Sequence, residues 1–256
     1  MSSRTNPYLM GEHLYGDDLS PAEMTQWFRD ESEGCCSLLN HTRGNYDHHA
    51  MNWHHGFRHL PNRRFGRVLG IGSAYGDELN PILDRCGDVT ILEPVSEFRD
   101  ERFRYVAPGS SGLMPFEDKS FDLITCFGVL HHIPNVSTVI AELSRCLAPE
   151  GWLLLREPVI SMGDWNFPRR GLTKHERGIP PRVLHAMIAQ TQLTVFREAR
   201  CWFPLTLRIS AHGYNSPILV RLDALLSSLP LPFWYHADHW WKKFRPQSLF
   251  MVLTKV

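Results

Sequence analysis

The chain has 256 residues, 43% of them hydrophobic and 21% charged, with 27 basic and 27 acidic side chains. This length supports one large domain with a real core. A formal net charge of zero argues against a nucleic-acid binder that works through a broad basic field. The opening MSSRTNPYLMGEH lacks the basic-then-apolar layout of a signal peptide, and no run of ~18 apolar residues offers a membrane span. The cysteines are Cys35, Cys36, Cys86, Cys126, Cys146 and Cys201, with no C-x-x-C pair. Free buried thiols in a cytoplasmic, reduced protein are expected, with no zinc or redox framework.

Residues 1–64 read as a polar preface, a helical cap distinct from the main domain at 65–256. Within it, residues 21–31 carry a helix signal, with Ser20 as N-cap and Pro21 at the first helical position. Residues 46–60 read as a second helix that ends before Pro61. From Arg67 onward short apolar runs alternate with helical segments. Strands are expected at 68–71, 89–92, 103–106, 121–126 and 152–155, the last preceded by a turn at 149–151. Helices are expected at 77–85 and 135–147. Strands alternating with helices imply βαβ units and a parallel sheet, with right-handed crossovers placing helices on both faces. A helix at 180–190 and a strand at 193–199 follow. A long insert, about 201–246, is rich in Leu, Trp, Phe, His and Pro. A closing strand at 248–255 fits an antiparallel hairpin at one sheet edge.

The first chemical signal is Val68-Leu69-Gly70-Ile71-Gly72-Ser73-Ala74-Tyr75-Gly76-Asp77-Glu78. An apolar strand runs through a small-residue turn into a helix. Glycine lets the main chain approach a ligand closely, and the helix start adds free N–H groups. Such a turn suits the crevice at the carboxyl ends of the strands. A tight strand–helix turn with no ligand is the plain alternative. The second signal is Glu93, followed by Pro94, at the end of the next strand. It lies about 20 residues past the turn, where a ribose-binding carboxylate belongs; its plain alternative is a solvated acid.

The third signal is Leu113-Met114-Pro115-Phe116-Glu117-Asp118-Lys119-Ser120-Phe121-Asp122, followed by Leu130-His131-His132-Ile133-Pro134 and then Pro149-Glu150-Gly151 before a Leu-rich strand. Over roughly residues 66–158 the chain resembles the class I methyltransferases of the methyltransferase type 11 group. The resemblance implies a Rossmann-like, doubly wound α/β fold with a seven-stranded sheet in the order 3-2-1-4-5-7-6, strand 7 antiparallel. It implies S-adenosyl-L-methionine as cofactor. It also implies cofactor contacts from Gly70, Gly72, Ser73, Ala74, Gly76, Glu93, Pro94, Gly112, Leu113, Phe127 and Leu130. Two departures stand out. Gly70 occupies the place of an acid that family members commonly use near the cofactor's methionyl ammonium, and Ala74 replaces the middle glycine. Ser110, Ser111 and Gly112 stand where a loop acid is usual.

Methyl transfer mainly requires alignment of the acceptor with the activated carbon, and an oxygen acceptor adds the need for a general base. His131, in the loop after the fourth strand, fits that role, with a pocket-shaping role as the alternative. Glu157, at the same rim, is an equal candidate. The histidines of 46–55 suggest a metal, but only His55 and His59 have i, i+4 spacing and no Glu follows His55. No metal is expected, and the segment reads as a helix over the cofactor mouth. In the insert, Trp234, Tyr235, Trp240 and Trp241 fit a lid packed on the domain, an acceptor pocket that stacks on a sugar, or a membrane interface. Asp164, Arg169, Arg170 and Lys174 lie where acceptor loops sit. The expected function is methyl transfer to a small molecule or glycan, at oxygen, with no nucleic acid and no membrane span, leaving peripheral membrane contact open. The rivals are a silent cofactor-binding scaffold and an oxidoreductase. The preface and insert are expected to meet over Gly72 and His131 as an acceptor lid built with Tyr46, His49, His54, Trp234 and Tyr235.

Overall fold

A single sheet of seven strands organises the computed structural model, which describes residues 6–38, 43–210 and 214–256, without the side chains of 35–38. Short helices α1 (Pro7–Met10), α2 (Pro21–Leu38) and α3 (His49–His55) precede the sheet. Then come β1 (Phe65–Ile71), β2 (Cys86–Leu92), β3 (Arg104–Val106), β4 (Phe121–Phe127), α4 (Val136–Cys146), β5 (Leu147–Pro158), α5 (Pro181–Ala189) and β6 (Leu193–Cys201). Helices α6 (Pro204–Ile209) and α7 (Pro217–Ser227) and strand β7 (Ser248–Lys255) complete the chain. The strand order is β3-β2-β1-β4-β5-β7-β6. Strands β1 to β5 pair in parallel, and β7 runs antiparallel to both β5 and β6. Both the implied order and the edge hairpin are present.

The central strands are apolar because both faces are covered. Val68, Leu123 and Leu154 lie in one buried cluster and Leu69, Ile124 and Leu153 in the other, as alternation along a strand requires. Cys86, Cys126, Cys146 and Cys201 are free and buried, whereas Cys35 and Cys36 lie outside the described side chains.

Several element expectations need correction. Residues 46–60 are not one helix. Helix α3 stops at Gly56, where an added Cβ would sit 2.6 Å from Phe250 Cζ, and a single 3-10 turn, Phe57–His59, follows. Residues Asp77–Arg85 form a tighter 3-10 helix with Pro81 inside it; proline there removes a hydrogen-bond donor and disrupts a regular α-helix. Helix α2 runs past residue 31. The expected 149–151 turn lies within β5, where Glu150 takes a positive φ of 59°. The insert carries two helices of its own.

Candidate functional site

A cleft of about 770 Å³ opens at the carboxyl ends of the strands, lined by the glycine turn, the end of β2, the loop before β4 and the segment after it. This is the crevice in which open α/β sheets bind ligands. Gly72 and Gly76 take positive φ values of 58° and 73°, and Ala74 follows them at 47°. The turn is tied down by Gly76 N–H donating to the Ser73 carbonyl at 2.7 Å, and by Gly72 N–H donating to the Leu92 carbonyl at 2.9 Å. The Tyr105 hydroxyl donates to the Ala74 carbonyl at 2.9 Å. Thus the sequence feature read as a ligand cradle is held in shape from β2 and β3.

Glu93 lines the cleft and is buried. Its carboxylate accepts from Ala74 N–H at 3.0 Å and Val95 N–H at 3.1 Å. Burial pushes its pKa up, against these two hydrogen bonds. Of the residues expected to hold cofactor, Gly72, Ser73, Ala74, Pro94, Gly112, Leu113 and Phe127 also line the cleft, whereas Gly70, Gly76 and Leu130 do not. Leu130 is fully buried, and a Cβ on Gly70 would fall on Ser73 Oγ.

That crowding explains why no acid stands at position 70, and it exposes a residue the sequence reading missed. Ser73 Oγ fills the space and donates to Glu78 Oε1 at 2.8 Å. Thr125 on β4 donates to the same oxygen at 2.6 Å. Glu78 is buried yet lines the cleft. Burial raises its pKa, opposed by these hydrogen bonds and by the Arg156 charge. Arg156, from the end of β5, also lines the cleft. It donates to Asn52 Oδ1 at 3.1 Å, and its buried Nε has no protein partner. A carboxylate and a guanidinium thus face the same end of the cleft, with donor capacity to spare.

His131 stands across Gly128 from Arg156: a Cβ on Gly128 would lie 3.7 Å from His131 Cε1 and 3.9 Å from Arg156 Nη2. Glu157 is wholly buried and does not reach the cleft. It accepts from Val129 N–H at 2.9 Å and Leu130 N–H at 2.8 Å, and its other oxygen lies 2.9 Å from His131 Nδ1. His131 Nε2 then points at Glu176 Oε1, 3.5 Å away. Burial alone would lower the His131 pKa, but the two carboxylates win and raise it to about 9. Glu176 is penalised by burial, yet the histidines hold it down at about 2. His132 Nδ1 lies 2.8 Å from Glu31, which also accepts from Thr173 Oγ1. Donor atoms of His131, His132 and Glu176 lie within 4.8 Å of one another, close enough for a metal. In this arrangement His131 pairs with Glu157 and Glu176, and His132 with Glu31.

The acceptor-loop expectation shifts accordingly. Gly171, Thr173 and Glu176 reach the cleft. Arg169 instead donates to main-chain carbonyls of Thr173 and Lys174, both at 3.1 Å. Lys174 pairs with Asp30 at 2.6 Å, Asp164 accepts from Asn166, and Arg170 lies outside the cleft lining. The preface and insert do meet beside the cleft: Tyr214 N–H donates to the Asp47 carbonyl at 2.5 Å, and His48 packs on Trp202. Tyr46 lines the cleft, but His49, His54, Trp234 and Tyr235 do not. Tyr235 is buried elsewhere, donating to the Gly178 carbonyl at 2.7 Å.

The strand order, the turn and the cleft define a class I methyltransferase core, and residues 69–155 match the family described as a methyltransferase domain. The match spans about a third of the chain, and the fold is that of the class I methyltransferases. It is 33% identical over 155 residues to the uncharacterized methyltransferase YcgJ of Bacillus subtilis, covering 53% of this chain and 60% of that one. It is 25% identical over 151 residues to the ubiquinone biosynthesis O-methyltransferase of Photobacterium profundum, covering 50% and 64%. Neither alignment reaches two thirds of the relative's length. The [4+2]-cyclase SpnF shares the fold at a TM-score of 0.53 and 13% identity, over 91% of this chain and 93% of its own. Fold similarity alone therefore does not decide the chemistry.

Proposed function

We propose that this chain transfers a methyl group from S-adenosylmethionine to a hydroxyl oxygen of a neutral, polyhydroxylated small molecule or glycan. The observation that carries the reading is one continuous cleft lined by the glycine turn, Glu93, Glu78, Arg156 and a carboxylate-backed histidine. When bound, the cofactor supplies a methyl carbon activated by a sulfonium. The protein has only to align an acceptor and manage its proton.

Glu93 takes the ribose diol. Glu78 takes the methionyl ammonium, in place of the acid that Gly70 lacks, and the orphaned Nε of Arg156 faces the methionyl carboxylate. An amino-acid tail is a zwitterion, and this pair is its complement. Such a pair speaks against the scaffold reading as far as that reading rests on Gly70. Between Glu157 and Glu176, His131 is held as an imidazolium; displacement of Glu176 by the acceptor removes one of the two carboxylates that hold that proton, which frees Nε2 to act as the base while Glu157 positions the ring. The hydroxyl takes the place of Glu176 beside Nε2. Residues from 1–64 act as a cap over the cleft, since Phe28, Glu31 and Tyr46 line it. Glu31, Asp47, Asp77, Glu78, Glu93 and Glu176 face the cleft against Arg156 and the His131 imidazolium, an excess of acid that disfavours phosphodiesters and supports an uncharged polyol over nucleic acid. The O-methyltransferase relative agrees with oxygen as acceptor.

The test is methyl-labelled S-adenosylmethionine offered with a panel of sugars, polyols and transfer RNA. The account expects label in alkali-stable ethers of the polyols and loss of that label in His131→Ala with cofactor still bound. Label entering only the RNA would overturn it.

A further inference from the structure

Helix α7 is inside out. Its buried positions include Asp223 and Ser227 beside Val220. The Asp223 carboxylate accepts from Trp202 N–H at 2.9 Å, Phe203 N–H at 2.7 Å and the Thr206 hydroxyl. Those bonds fix the rotation of the helix. The outward face then carries Ile218, Leu222 and Leu225, which are 79%, 40% and 64% exposed. Spacing of four and three residues makes them one stripe. Helix α6, alongside, adds exposed Leu205 and Ile209. A soluble surface helix normally has the reverse pattern, and a contiguous apolar face of this kind marks an interaction site.

Cations border the stripe. Arg221 is exposed on α7. Arg58 follows α3 and Arg197 lies on β6, both exposed and both on or beside elements that pack against α7; burial, then the charges of Arg197 and Arg221, lower the Arg58 pKa. Among the described residues none of the three forms an ion pair with a carboxylate. Like charges held together without a counter-charge cost stability unless a partner supplies anions.

We infer that the α6–α7 face, with Arg58, Arg197 and Arg221, docks this protein on a bilayer that contains anionic lipid. Apolar side chains enter the boundary between headgroups and acyl chains, and the guanidinium groups sit at the phosphates. A second copy of the chain is disfavoured, because a symmetric contact would set one arginine cluster against another. Nucleic acid is disfavoured because Ile218, Leu222 and Leu225 would meet a charged backbone that cannot bury them. The surface does not depend on which acceptor the cleft takes.

Co-sedimentation of the full chain with vesicles tests this. Phosphatidylcholine alone is compared with an equal mixture of phosphatidylcholine and phosphatidylglycerol. The expected result is binding to the mixture, weakened by salt, and little binding to phosphatidylcholine. Two double variants, Ile218→Ser with Leu225→Ser and Arg58→Ser with Arg221→Ser, should each lower the partition coefficient on the mixture by about ten-fold. Both change exposed or surface side chains, and unchanged binding of S-adenosylhomocysteine serves as the check on their folding. Wild-type protein that stays in the supernatant with both vesicles would overturn the inference. So would equal binding to both vesicles. A concentration-dependent dimer that the Ile218/Leu225 variant dissolves would also overturn it, assigning the face to a second copy.

Discussion

Replacing Glu78 by Gln separates the two ends of the cofactor. Ser73 and Thr125 both donate to Oε1 of Glu78, so an amide oxygen can keep them and the turn survives. What changes is the second position, where an –NH2 replaces a carboxylate oxygen and meets the methionyl ammonium donor to donor. Losing a hydrogen bond to a charged group costs about 1.5–3 kcal/mol, which weakens binding by about ten- to a hundred-fold. Isothermal calorimetry with two ligands isolates the effect. S-adenosylhomocysteine carries the tail and loses that affinity; 5′-methylthioadenosine lacks the tail and changes by less than about three-fold. Glu93→Ala behaves differently, weakening both ligands by about ten- to a hundred-fold because both carry the ribose. Because Glu93 also holds Ala74 N–H and Val95 N–H, its thermal midpoint is followed in parallel. Equal loss for both ligands in Glu78→Gln, or no loss for the tailed one, would refute the assignment.

Two further outcomes follow from the same geometry. His131 has a folded pKa of about 9 against about 6.5 when unfolded, so its contribution is complete below about 6.5 and is lost as pH rises through about 9. That contribution is on the order of 3 kcal/mol; the wild-type thermal midpoint should fall over that window, and Glu157→Gln should flatten the fall, whereas a pH-independent difference between the two would contradict it. Restoring the family's acid as Gly70→Asp should destabilise the fold by about 1–3 kcal/mol, since the new Cβ falls on Ser73 Oγ and lies 2.9 Å from Ile91 Cδ1; a denaturation midpoint at or above wild type would show that the site has room after all.

The sheet was legible because buried parallel strands advertise themselves as short apolar runs. The cofactor turn was legible because Gly72, Gly76 and Glu93 occupy fixed places along a βαβ unit. Glu78 was not, since an acid in the first turn of a helix reads as a companion to the helix dipole. Only the packing of Ser73 against Gly70 turns it inward. Glu176 was hidden in a polar, turn-rich loop, while the more conspicuous Arg169 is used on main-chain carbonyls. The break of the 46–60 helix at Gly56 depends on Phe250, nearly 200 residues away in sequence. In the insert, Ser216 accepting from Leu219 N–H, with Pro217 in the first turn, was a readable helix start. What could not be read was which face of that helix would turn inward, because Asp223 finds its donors on Trp202, Phe203 and Thr206.

The central claim is that this cleft holds S-adenosylmethionine. Titration of the purified full chain with S-adenosylhomocysteine and with NAD, followed by calorimetry, addresses it most directly. The account predicts saturable one-to-one binding of S-adenosylhomocysteine, lost when Glu93 and Glu78 are replaced together, and no heat from NAD. Tight binding of NAD with no response to S-adenosylhomocysteine would contradict it.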